Sequence, residues 1–136
     1  MGLRDKDSKM TGKNADWKNE LYIKNCQKFF LQQIQIMQSL QLILVLGKYP
    51  ALFLSDLSDD LKEWRYYTTM RKLDVDGYSV KRGVRFESLP GVSVNVLLIA
   101  HPSYRRLNGL NRKIQFEKQD FAGQTAESEL IKHLLQ

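Results

Sequence analysis

His101-Pro102-Ser103-Tyr104-Arg105-Arg106 places an imidazole, a hydroxyl, a phenol and two guanidinium groups in six consecutive positions. Guanidinium groups pair with phosphate and stack on bases. Arg112 and Lys113 follow, and no acidic residue intervenes between His101 and Phe116. An unopposed cationic run of this kind favours contact with a phosphate backbone. Ser103 beside His101 also has the makings of a hydrolytic dyad, but such a dyad needs a third, orienting group that sequence does not locate.

These groups need a scaffold. The run Val94-Asn95-Val96-Leu97-Leu98-Ile99-Ala100 directly precedes them. Its near-continuous apolar character, without clear alternation, fits a strand buried on both faces. Pro102 has no amide donor and restricts His101, so the strand must stop there. The chemistry therefore sits at the carboxyl end of a central strand, the edge at which open α/β sheets bind ligands. A second buried strand, Leu42–Leu46, ends at Gly47-Lys48. Pro50 is tolerated in the first turn of a helix, which predicts a helix starting near Tyr49.

Around these strands the pattern predicts a long helix over Asp16–Gln38. Its apolar positions Tyr22, Cys26, Phe29, Phe30, Ile34 and Met37 recur at near-helical spacing. Ser58–Trp64 reads as a helical turn, and Val84–Phe86 as a short strand. Asp76-Gly77, Lys81-Arg82-Gly83, Leu89-Pro90-Gly91 and Asn108-Gly109 read as turns or loops. Thr125 reads as the cap of a last helix carrying Leu130, Ile131, Leu134 and Leu135. Alternating strands and helices predict an α/β fold: a parallel sheet flanked by helices in three layers. Residues 1–15 form a polar stretch expected to be a disordered tail, and residues 16–136 the folded domain.

The 136 residues carry a formal net charge of +6, which favours an anionic partner. Cys26 is the sole cysteine, so no intrachain disulfide forms, and an intracellular, cytoplasmic setting is expected. No apolar stretch approaches the ~18 residues of a membrane span, so no membrane association is expected. No metal-ligand spacing and no glycine-rich phosphate loop are present, and no cofactor is expected. Trp64, Tyr66 and Tyr67 have rings suited to base stacking, although such aromatics more often pack in a core.

Four features in chain order resemble the uracil-DNA glycosylase superfamily. They are the helix with Cys26 and Gln32-Gln33-Ile34; the strand ending Leu46-Gly47, with Ala51 four residues beyond; Arg82-Gly83 with Phe86 and Leu89-Pro90-Gly91; and the strand ending His101-Pro102-Ser103. The resemblance covers roughly residues 20–115, the carboxyl-terminal half of that domain. It implies a role in base-excision DNA repair, in which a damaged base is flipped out and its glycosidic bond hydrolysed. By this resemblance His101 is the catalytic donor to the uracil oxygen. Gly47, Lys48, Pro102, Ser103 and Tyr104 belong to the DNA-gripping loops. Arg105 occupies the wedge position that fills the gap left by the flipped base, with Arg106 beside it. The family's water-activating first motif, a glycine-rich turn with a proline, has no counterpart, because no proline precedes Pro50. The uracil-stacking aromatic and the base-reading asparagine belong to the same unmatched half.

The resemblance thus implies an incomplete domain: a fragment, a truncated product or a degenerate descendant, inactive alone. A non-enzymatic nucleic-acid-binding or interaction module and one half of a split glycosylase are the alternatives. An incomplete sheet would expose an edge, inviting self-association or a partner chain. Cys26 matches a cluster-ligand position of the iron–sulfur branch, but a lone thiol cannot hold a cluster.

Overall fold

A computed structural model of the chain describes residues 20–66, 69–101 and 111–136. The expected tail, the turn at Asn108-Gly109 and the segment Pro102–Arg106 lie outside the described residues. By its contacts the chain divides into two units, Met1–Gln38 and Ser39–Gln136.

In the first unit, α1 spans Glu20–Ile36, within the expected helix. Glu20 and Lys24 pair at 3.2 Å across one turn. Placing the acid amino-terminal to the base suits the helix dipole.

The second unit is a mixed α/β fold. Its elements are β1 (Leu42–Leu46), α2 (Lys48–Ser55), a 3₁₀ turn (Asp59–Arg65), α3 (Met70–Asp76), β2 (Val80–Phe86), β3 (Leu89–Ile99), β4 (Lys113–Phe116), β5 (Gln119–Ala122) and α4 (Ala126–Leu134). Three strands form one sheet in the order β1-β3-β2. The two apolar runs pair in parallel, with Leu42 opposite Asn95 and Leu46 opposite Ile99.

The sheet is mixed, not purely parallel as the sequence pattern predicted, because β2 runs antiparallel to β3. Only Glu87 and Ser88 join Phe86 to Leu89. A parallel neighbour would need a crossover of a dozen residues or more, so so short a link forces a hairpin. Leu89-Pro90-Gly91 belongs to β3 rather than to a loop. Pro90 is accommodated at the strand's start, where the register shifts between Arg85 and Phe86. Lys81-Arg82-Gly83 is likewise not a turn. The register slips between Lys81 and Val84, and Gly83 takes φ 65°, a bulge in mid-strand. Asn95 holds that bulge: its Oδ1 accepts from Gly83 N–H at 3.1 Å, and its Nδ2 donates to Leu134 O at 3.3 Å.

Two elements were not anticipated. Thr69 caps α3 by accepting from Lys72 N–H at 3.3 Å, and Gly77 ends it in the left-handed conformation. The β4–β5 hairpin turns on Glu117 and Lys118, both at positive φ, as a two-residue turn of its kind requires. Thr125 stands at the expected cap position of α4, but its hydroxyl bonds Glu129 Oε1 at 3.1 Å rather than a backbone amide.

Val80, Leu97, Ile114, Phe121, Leu130 and Leu134 bring β2, β3, both hairpin strands and α4 into one apolar core. Trp64 is buried and donates from Nε1 to Tyr78 O at 2.6 Å. It is a core residue, with no face presented for stacking.

Candidate nucleic-acid interface

Parallel pairing of β1 and β3 brings Gly47 and His101 to the same sheet edge. Gly47 N–H donates to Ile99 O at 3.3 Å, and Gly47 O accepts from Ala51 N–H at 3.3 Å, opening α2. One residue therefore ends the strand, starts the helix and borders His101. Glycine suits this position because its φ is 88°, a conformation that residues with a Cβ rarely adopt. The space a Cβ would occupy borders His101, 3.4 Å from its Cβ and 3.6 Å from its Cδ2. The first turn of α2 then presents Lys48, with Tyr49 57% exposed beside it. His101 is exposed as well. A cation, an imidazole and the positive end of a helix thus share one edge, an arrangement that favours anions.

The cationic run that follows is interrupted. Arg112 does not face solvent or phosphate: it is 3% exposed. Its Nε and Nη2 lie 3.1 Å from the two carboxylate oxygens of Asp74, and its Nη1 lies 2.7 Å from Glu127 Oε2. Charge in the sequence misled here because both partners are remote, at separations of 38 and 15 residues. Ser79 Oγ donates to Asp74 Oδ1. Glu127 Oε2 also accepts from Ala100 N–H at 2.8 Å. A buried polar chain therefore runs from Ser79 through Asp74, Arg112 and Glu127 to the amide directly before His101. Lys113 stays exposed.

Neither Asp74 nor Glu127 was singled out from sequence. Glu127 was detectable in principle, since it is in helical phase with Leu130 and Leu134 and so lies on the buried face of α4.

A second polar cluster lies at the other end of the parallel strands, where Asn95 pairs with Leu42. Glu117 accepts from Arg82 Nε and lies 3.0 Å from His133 Nε2. Phe116 and Phe121 flank the His133 ring. The hydrogen bond from Arg82 holds the Glu117 carboxyl below the usual glutamate range, and the one from His133 adds to it. A depressed carboxyl pKa stabilises the fold above the unfolded pKa, and that contribution is lost as pH falls through the folded value. Glu117→Gln should therefore destabilise the protein near neutrality, with the difference from wild type shrinking below about pH 4. Thermal melts of both proteins across that range check this. A difference that persists unchanged at the acid end would contradict it.

Among the described residues, no three of His, Cys, Asp and Glu come together in a way that could hold a metal ion. No described helix is long and apolar enough to cross a membrane. No known protein family, curated protein sequence or solved structure matches this chain.

Proposed function

We propose that this chain is a uracil-DNA glycosylase-like unit of base-excision repair that contacts DNA through the Gly47–His101 edge and does not excise uracil by itself. One observation carries the reading. Two parallel neighbouring strands end side by side, and the glycine of one borders the histidine of the other. The family resemblance requires that juxtaposition, and the two apolar runs could have been placed otherwise.

In this reading His101 is the inherited donor to the uracil oxygen. It would stabilise the charge that builds up as the glycosidic bond breaks. Gly47, Lys48, Pro102, Ser103 and Tyr104 grip the backbone. Arg105 enters the gap beneath a missing base, and Arg106 pairs with phosphate. The three-stranded sheet with its helices is then the carboxyl-terminal part of a larger three-layer domain. The setting is intracellular and cytoplasmic.

Nothing in the motif set activates water, and a donor alone leaves hydrolysis without a nucleophile. A uracil-containing oligonucleotide incubated with the purified chain should therefore acquire abasic sites only at the background rate. Excision above background that disappears in His101→Ala would overturn the inactive assignment. It would require a water-activating residue within these 136 positions.

A second reading, one half of a split glycosylase, draws on the sheet edges. The β2 edge is blunted by Lys81, Arg82, Arg85 and a bulge. β1, at the other end of the sheet order, carries no charge and leaves Leu44 and Leu46 40% and 38% exposed. Uncharged edges are the ones that accept another strand. A partner chain or a second copy would then cover β1, and excision would appear only with that partner added.

A further inference from the structure

We propose that Glu127 is the positioning residue of this edge. A single carboxylate oxygen, Oε2, accepts from Ala100 N–H at 2.8 Å and from Arg112 Nη1 at 2.7 Å. One buried side chain on α4 thus joins the end of β3 to the residue directly before β4. The bond to Ala100 fixes the strand end directly before His101, which lies beside Gly47. The inference rests on the reading of this edge as the DNA contact, and it names what holds the contact in register.

Asp74 provides a matched control. Both carboxylates engage Arg112, and each is nearly buried. Glu127→Met, which has no carbonyl or carboxylate acceptor, leaves the Arg112–Asp74 pair, and Asp74→Asn leaves the Arg112–Glu127 pair. Each variant therefore removes one negative charge and keeps one ion pair. Of the two carboxylates, Glu127 is the one that accepts from the backbone before His101, so its variant should disturb the edge.

The experiment compares wild type, Glu127→Met and Asp74→Asn in three measurements. These are hydrogen exchange at the Ala100 amide, the nuclear magnetic resonance shift of the His101 ring, and affinity for a short duplex holding one abasic site at low salt. In Glu127→Met, Ala100 should exchange at least about tenfold faster, the His101 signal should move, and affinity should fall about tenfold, the scale of one lost hydrogen bond. Asp74→Asn should lose comparable thermal stability yet stay within about twofold of wild type in affinity, with the His101 signal in place.

Equal losses in the two variants, scaling with stability alone, would overturn the proposal. So would an unchanged Ala100 amide in Glu127→Met. If that variant fails to fold, the wild-type amide decides. Exchange only through global unfolding supports the tie, and rapid exchange through local opening refutes it. If wild type does not bind the duplex, the DNA-contact reading fails, while the Ala100 and His101 measurements still decide the role of Glu127.

Discussion

Arg112→Ala is expected to destabilise the protein by about 3–5 kcal/mol, the scale for removing one partner of a buried ion pair. Asp74 and Glu127 would then be left facing each other's charge without a cation, and their side chains are 4% and 6% exposed. Few waters could reach them, and the like charges would repel. Typical domains are stable by only 5–15 kcal/mol, so the variant would retain a fraction of the native margin. Its melting temperature should fall by about 10–20 °C. Changing all three members to apolar residues of similar volume should recover much of the loss, since the burial penalty disappears with the charges. Urea and thermal unfolding followed by circular dichroism measure both effects. A loss under about 1 kcal/mol for Arg112→Ala would match an exposed pair and contradict the buried bridge.

The second large effect is on DNA binding. With Arg112 withdrawn into the interior, the candidate phosphate contacts reduce to Lys48, Arg105, Arg106 and Lys113. Each neutralised phosphate contributes about −0.9 to the slope of log affinity against log salt. Four contacts give a slope of about −3.6, so raising salt fourfold should weaken binding about 150-fold. Arg106→Ala should lower the slope by about one contact on any duplex. Arg105→Ala should cost more on an abasic duplex than on an intact one, because a wedge acts where the stack is already open. Equal loss on both duplexes would leave a plain basic patch and remove the wedge role. A flat salt dependence would remove phosphate contact altogether.

What could be read from sequence followed the strength of local signals. The two central strands were legible because burial on both faces leaves a continuous apolar run with abrupt ends. The edge that gathers Gly47 and His101 followed from those ends. Other elements depended on distant partners. The cap Thr69 and the stop Gly77 framed α3, but a helix of seven residues carries too little periodicity to stand out. The β4–β5 hairpin alternates Ile114 and Phe116 inward, yet its turn is Glu117-Lys118 instead of the Asn-Gly type that announces such hairpins. Lys81-Arg82-Gly83 reads as a turn but forms a bulge, because sequence alone does not distinguish a turn from a slipped register. Arg112 joins an unopposed cationic run in the sequence because its carboxylates are remote in the chain. The position of Glu127 behind the edge was hidden for the same reason.

Whether DNA meets the carboxyl edge of β1 and β3 is decided by following backbone amide resonances while an abasic duplex is titrated in at low salt. Progressive shifts are expected at Gly47, Lys48 and His101, with Glu117, Lys118 and His133 at the opposite end unmoved. Shifts confined to that opposite end, or none at Gly47 and His101 at saturation, would contradict that contact.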